Sequence, residues 1–564
     1  MLKLILSNAI PILKVFEKKH KIKLIFQILI LSLTNLLDLI GIFLVGLLVY
    51  MNFQQSPSLL VKIPGYDLFF VGLGLSNSGK LLFAIILIFL SKSFLGLWAS
   101  KSLFHFLAER NAEVSKSIFK NLLNIKNRNY ENKTSQELSI LTTFGSQAAV
   151  FDLLGYTVIA LSEAVLIILI SLMLVYLMPL IGILVLFYFL IIIFIINHII
   201  GAKSKSLESV NKRANIKSVE IIQSSLNLKQ EISLYSKLSY FIERYDRIFS
   251  EQTRAISSLQ ILGILPKYLL EPFIIIGALL IGAASYFFSN EQNLILQMTL
   301  VLTAAIRIMP SFLRLQSSLT QISRSFALTP RVREILDVHS VKSELPSIDY
   351  TKNDSEIAVI VNNVSFSFPE SKQDLIKDLS FVIPRNGIFA IAGKSGSGKT
   401  TLINLILGFL SPSQGAVSYR TPNGCTTPKL ALVPQFPQFI PGSIIENVAF
   451  GVPSEQIDVG LVESSLVKAN ILDHVNSLPK GIYENVGESF KKFSGGQRQR
   501  INIARALYSA PDIIVFDEPT SALDNVAKLH FIDLMRQLSI STTIVVVSHD
   551  EELVRSCDYV LRLD

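Results

Sequence analysis

Cysteine is almost missing from this chain, with only Cys425 and Cys557 among 564 residues. Two distant thiols exclude a disulfide framework and a cysteine-based metal site, and they read as free thiols of a reducing compartment. A cleavable leader is also lacking. Lys3, Lys14, Lys18 and Lys19 precede the first long apolar run, and no small-residue cleavage site follows a short one. Charged residues make up only 17% of the chain, against 50% hydrophobic. Most of the apolar excess precedes about residue 330, in runs too long for the core elements of a water-soluble domain. The net charge of +9 does not form a nucleic-acid patch. The Lys and Arg residues cluster at the ends of the apolar runs, as on the inner face of a membrane protein, and no nucleic-acid partner is expected.

Six runs are long enough to cross a hydrocarbon layer of roughly 30 Å, at about 24–50, 81–106, 153–178, 180–200, 264–288 and 292–313. The turns at Met178-Pro179 and at 289–291 carry no Lys or Arg, whereas the stretches 108–148 and 202–258 are rich in both. That bias places the basic stretches and the N-terminus inside and the short turns outside. Residues 1–21 fit a short amphipathic lead-in helix. Residues 51–80 are apolar but broken by Pro57, Pro64 and glycines, and fit a small helix in the outer interface. Helical periodicity at Leu207, Val210, Ala214, Val219 and Ile222 predicts that the basic stretches continue the spans as helices. Asp38, Lys92, Lys101, Glu163 and Arg307 fall within spans, where ionisable groups cost free energy. They either line a polar pathway, with Arg307 the leading candidate, or are satisfied locally, as by a pair between Asp38 and Lys92.

The remainder changes character. Residues 338–356 are polar and linker-like, and two alternating stretches, 359–361 and 364–368, read as edge strands. An apolar run, 388–392, then leads into Gly393, Lys394, Ser395, Gly396, Ser397, Gly398, Lys399 and Thr400, followed by the helical start Thr401-Leu402. G-x-x-x-x-G-K-T between a buried strand and a helix is the pattern of a phosphate-cradling loop. Its glycines let backbone N–H groups approach an anion. Lys399 suits the β- and γ-phosphates, and the Thr400 hydroxyl suits Mg²⁺. A second apolar strand ends in Asp517 and Glu518, a metal-holding and a water-polarising carboxylate. A third ends in His549 at the same expected sheet edge. Ser494, Gly495, Gly496 and Gln497 precede a helix and form a second phosphate-facing N-terminus. One nucleotide cannot easily use both within one chain, which points to a dimer.

Together these residues resemble the nucleotide-binding domain of ABC transporters. Residues 393–400 look like the Walker A loop, 513–518 like Walker B with the catalytic Glu518, and 494–497 like the signature, with Phe493 where Leu is usual. Gln435 resembles the Q-loop glutamine, Asp524 within 521–524 the D-loop, and His549 the switch histidine. Phe368 stands where an adenine-stacking aromatic is expected, and 485–488 resembles the exporter segment that contacts the membrane domain. The resemblance implies Mg²⁺ held by Thr400, Gln435 and Asp517. It implies ATP held by Phe368, residues 393–401, Ser494–Gln497 positions and Asp524. It implies catalysis by Glu518, His549 and Gln435.

It further implies an all-α six-helix transmembrane domain (1–330), a linker (331–356) and an α/β P-loop NTPase domain (357–564). The layout resembles an exporter-type half-transporter, which implies a place in the inner (plasma) membrane, a nucleotide domain in the cytoplasm and a second copy as partner. The absence of a peptidase-like domain argues against a peptide-processing exporter. The membrane half is most similar to lipid-linked oligosaccharide flippases, through 51–80 and the stretch 305–311. That similarity implies a lipid or lipid-linked substrate with Arg307 at its head group. A multidrug or lipid A-type exporter is the alternative.

Overall fold

The structure is a computed structural model. It describes residues 2–53, 77–123, 134–177, 179–288, 291–337, 356–368, 373–394, 396–420, 428–485, 493–520 and 525–563. The chain divides into two compact units, Met1–Val341 and Lys342–Asp564.

The described part of the first unit is helical: α1 (Leu2–Val15), α2 (Lys18–Phe53), α3 (Asn77–Leu122), α4 (Ser135–Ile140), α5 (Tyr156–Leu177), α6 (Pro179–Asn227), α7 (Lys229–Leu234), α8 (Leu238–Phe288), α9 (Glu291–Ser325) and α10 (Thr329–Asp337). The predicted spans lie within α2, α3, α6, α8 and α9, and the third covers α5 with the turn before it. Helices α3, α6 and α8 run 46, 49 and 51 residues, well past the spans, as the periodicity of the basic stretches predicts. At 1.5 Å per residue each reaches about 70 Å or more, over twice a hydrocarbon layer. Among the described residues three stretches, Lys18–Asp38, Leu81–Leu122 and Ser135–Met173, are long and apolar enough to cross a membrane.

Helix α1 buries Ala9 and Ile12 while Leu6 and Ile10 stay exposed, the two-faced form expected of the lead-in. Between α4 and α5 the chain winds as π-helix at Leu141–Gly145 and Ala148–Gly155, which the sequence did not announce. Two small residues there admit neighbours: a Cβ on Gly145 would lie 2.8 Å from Val332, and one on Gly155 2.7 Å from Leu107. Most of residues 51–80, the tight turn at Met178 and the linker 338–355 fall outside the described residues.

The ionisable residues of the spans find different environments. Lys92 of α3 pairs with Asp38 of α2 at 2.6 Å, the local satisfaction weighed from sequence. Lys101 is exposed. Glu163 of α5 accepts from Arg314 of α9 at 2.6 and 3.2 Å, and Arg314 also donates to Ser311 at 3.1 Å. Arg307 lies on α9, and its side chain falls outside the described part of the structure.

The second unit holds β1 (Ile357–Phe366), β2 (Ile376–Pro384), β3 (Ile388–Gly393), α11 (Lys399–Ile406), β4 (Gln414–Tyr419), β5 (Leu430–Val433), α12 (Ile444–Val448), α13 (Val459–Lys468), α14 (Leu472–Asn476), α15 (Gly495–Tyr508), β6 (Ile513–Asp517), α16 (Asn525–Ser539), β7 (Thr543–Ser548), α17 (Glu551–Arg555) and β8 (Tyr559–Leu563). A parallel sheet has the order β5-β6-β7-β3-β8, and an antiparallel one the order β2-β1-β4. The two stretches read as edge strands are one strand at the centre of the smaller sheet. It is bulged between Val361 and Val364, where Asn363 takes φ +47°. The bulge hid the continuity, because an inserted residue shifts the period-2 pattern to the other face. β6 and β7 are buried along their lengths, β6 up to Asp517, so the polar residues that follow them gather at the C-terminal sheet edge.

Candidate nucleotide site

The loop after β3 is shaped by its glycines. Gly396 and Gly398 take φ +86° and +89°, which side-chain-bearing residues avoid. A Cβ on Gly393 would sit 2.5 Å from the Leu563 carbonyl oxygen. Lys399, 7% exposed at the start of α11, donates Nζ–H to the carbonyls of Gly393 and Lys394, each at 2.8 Å. Its ammonium therefore spans the inside of the loop. The Ser397 hydroxyl is buried with no hydrogen-bond partner among the described residues, an unmet capacity beside a loop fit for an anion. Thr400 is exposed, Thr401 is buried, and Ser395 lies outside the described residues.

The carboxylates arrive from β6. Burial raises the Asp517 carboxyl above its usual range, the neighbouring Glu518 raises it further, and Lys399 opposes both. The half-buried Asp517 carboxylate, crowded by Glu518, is a hard oxygen ligand that a divalent cation would relieve, so this residue fits Mg²⁺. Glu518 takes φ +46°, and its N–H donates to the Val547 carbonyl at 2.9 Å. A non-glycine residue in that region is strained, and the β7 hydrogen bond helps to hold it. Gln435, following β5, donates Nε2–H to Glu518 Oε2 at 2.9 Å. His549, following β7, places Nδ1 3.3 Å from Glu518 Oε1. Three residues 83 and 31 positions apart are thus joined through one carboxylate, because β5, β6 and β7 are neighbours in the sheet.

Phe368 packs edge-on against Phe366, with ring centroids 5.1 Å apart, and remains 44% exposed, which leaves ring surface open for stacking. Ser494 caps α15: its hydroxyl accepts from Gln497 N–H, and Gln497 Oε1 accepts from Ser494 N–H at 2.8 Å. Gly495 and Gly496 form the first turn. Among the described residues no hydrogen bond joins 494–497 to the 393–401 loop. Asp524 and the rest of 521–524 lie outside the described residues, as do 486–488; Asn485 bridges Ser443.

Sequence reasoning missed Asp550 and Lys528. Asp550 caps α17 one residue after His549, and Lys528 holds it at 2.6 Å. Burial pushes the Asp550 carboxyl up, but the Lys528 ammonium and two backbone N–H groups outweigh it and hold it below its usual value. An Asp before Glu551-Glu552 is a readable helix-start signal. Its lysine, on another helix, is not.

Residues 376–521 match the family described as ABC transporter. Two curated relatives are named ATP-dependent lipid A-core flippase. That of Bordetella avium (strain 197N) is 35% identical over 207 residues, 36% of this chain and 35% of its own length. That of Xanthomonas campestris pv. campestris (strain 8004) is 28% identical over 362 residues, 60% of this chain and 58% of its own length. The matched segments thus span less than two thirds of those relatives. A solved structure described as a bacterial Atm1-family ABC exporter with ATP bound superposes with TM-score 0.75 at 18% identity, covering 97% of this chain and 93% of that one. Residues 376–521 thus carry a domain of the ABC transporter family, and the chain as a whole has the fold of that solved exporter.

Proposed function

We propose that this protein is one half of an ATP-driven transporter that moves an amphipathic lipid, with a bulky polar head group, across the membrane. The observation that carries the reading is Glu518, held by Gln435 and His549 beside the 393–401 loop. Glu518 accepts the proton of the attacking water. The Gln435 amide fixes one carboxylate oxygen, and His549 positions the other. Lys399 and the N–H groups of the loop bind the β- and γ-phosphates of the substrate ATP, and Phe368 stacks on its base. Mg²⁺ held by Thr400, Asp517 and Gln435 would neutralise charge on the transferring phosphate. Ser494, Gly495, Gly496 and Gln497, with Asp524, complete the site across a homodimer. The partner's nucleotide faces the α15 N-terminus, whose N–H groups favour anions. The nucleotide unit lies in the cytoplasm and the helical unit in the inner membrane, with α7 at the tip of the α6–α8 arm as a coupling helix.

For the substrate, the relatives' printed names favour a lipid, and the chain's own Arg307 favours an anionic head group. A lipid-linked oligosaccharide carrying a pyrophosphate and a lipid A-type glycolipid both meet that description. The test is transbilayer movement in proteoliposomes of a fluorescent polyprenyl-pyrophosphate oligosaccharide and, separately, of a fluorescent lipid A-type glycolipid. Wild type is compared with Glu518→Gln. ATP-dependent movement of one lipid, lost in the variant, supports the reading and names the substrate. Movement of neither, with ATP hydrolysis intact, removes the lipid and keeps the ATPase.

A further inference from the structure

Arg505 stands eleven residues after Ser494 on α15, about 16 Å along the helix. Its Nε–H donates to the Asn447 carbonyl at 2.7 Å, Nη1–H to the Gln438 carbonyl at 2.8 Å, and Nη2–H to Asn447 Oδ1 at 3.0 Å. The guanidinium lies between two rings, 4.9 Å from the centroids of both Phe439 and Phe450. No carboxylate takes part in these contacts. Three donors on carbonyl oxygens and two ring faces use the planar fork in a way lysine cannot copy.

The partners of Arg505 lie just downstream of Gln435. Asn447, fully buried, exchanges two hydrogen bonds with Ile440, each at 3.0 Å, and donates to the Ser443 carbonyl at 3.0 Å. The segment 438–447 is thereby locked to itself and, through Arg505, to α15. The same helix makes a second tie, since Gln499 donates to the carbonyl of Pro519, the residue after Glu518. These contacts close a circuit. Glu518 is bonded to Gln435, whose chain runs to Gln438. Gln438 is bonded to Arg505 on α15, and α15 returns through Gln499 to Pro519. Displacing Gln435 without moving α15 breaks the Gln438–Arg505 bond or distorts the two residues between.

We infer that Arg505 is a positioning residue that makes the Gln435 segment and the Ser494 end of α15 move as one body, so that engagement of Gln435 at the nucleotide sets the helix N-terminus offered to the second copy. This rests on the proposed nucleotide site. Arg505 touches no reacting atom and acts through Gln435 and Ser494.

The experiment is a double-mutant cycle in the full-length reconstituted protein. Arg505→Lys keeps the charge and loses the fork. In the wild-type background it should lower kcat for ATP hydrolysis by about 10-fold, with trinitrophenyl-ATP affinity changed less than about twofold. In a Gln435→Ala background it should lower kcat by less than about twofold, because the coupled partner is already gone. Equal losses in both backgrounds make Arg505 a merely structural residue and overturn the inference, as does a fall in trinitrophenyl-ATP affinity matching that in kcat. Phe450→Leu, at a ring that is 57% exposed, repeats the cycle with the fold preserved, and there too additivity overturns the proposal. An inactive wild type overturns the nucleotide-site reading and this inference with it. An active wild type with an additive cycle overturns this inference alone.

Discussion

Each unit contains an Asp–Lys pair of the same length. Asp38 and Lys92 meet at 2.6 Å between α2 and α3, and Asp550 and Lys528 meet at 2.6 Å beside the nucleotide site. Their side chains are 3% and 23% exposed in the first pair, 22% and 14% in the second. What differs is the surroundings. Around Lys92 the outward residues are Leu90, Phe94, Leu97 and Trp98, all more than half exposed, the outer face of a helix that meets lipid. Lys528 has a second carboxylate within reach, Glu552 at 3.0 Å, itself 60% exposed. Polar side chains of the helical unit therefore turn inward and satisfy each other: Gln27 with Ser102, Asn35 with the Ser162 carbonyl, and Glu163 with Arg314. In the nucleotide unit β6 and β7 are buried nearly along their lengths, and polarity collects at the sheet edge where they end, where it can do chemistry. A buried charge in the first unit marks a structural tie or a pathway. A strand-end charge in the second marks a site.

The largest break in that comparison is at the sheet edge. Glu518→Gln keeps the size of the side chain and one acceptor oxygen for the Gln435 amide but cannot take a proton. ATP hydrolysis should fall by about 10²–10⁴-fold while ATP binding persists. A variant retaining a tenth of wild-type turnover would move the base elsewhere. The next effect is in the helical unit. Asp38→Leu strands the Lys92 ammonium among apolar helices and should cost about 3–5 kcal/mol, while Asp38→Leu with Lys92→Leu should recover most of it. Melting in detergent reports both. If the double variant melts no higher than the single one, the pair is not what holds these charges. The matched control, Lys528→Met, should shift the midpoint much less, since water can solvate the Asp550 carboxylate left behind. An equal shift would erase the distinction between the units.

The two units also differ in how much of them could be read in advance. Residues 393–400, Gln435, Asp517, Glu518 and His549 are local signals on strand ends, and a parallel sheet brings strand ends together whatever the loops do. The apolar runs were equally plain, and Asp38 with Lys92 was legible because two ionisable residues in neighbouring spans have few other partners. Glu163 with Arg314, 151 positions apart, was not, because helix order around the unit decides it. The bulge at Asn363 split one strand into two apparent ones. Nothing in the local sequence marks Arg505, and only the path of 438–447 gives its donors their carbonyls.

Lys212 on α6 tests the same contrast at the smallest scale. It lies twelve positions beyond the predicted fourth span, in the part of the helical unit read as leaving the membrane. Its Nζ is buried with no hydrogen-bond partner among the described residues. Burial, then the charge of Arg331, pulls its pKa down from 10.5 to about 7, against weaker opposite pulls from Glu208 and Glu137. Between about pH 7 and about pH 10 the unfolded chain therefore holds a proton at this site that the folded chain lacks, and stability rises with pH across that window. Lys212→Met removes the titration. Its melting midpoint should exceed that of wild type at about pH 7 and below, and the gain should shrink toward about pH 10, where the lysine of both states approaches neutrality. A gain constant with pH would mean that the methionine only packs better, and that this end of α6 is already wet enough to solvate an ammonium. The inward-turned polarity of the helical unit would then stop at the membrane boundary rather than follow its helices beyond it.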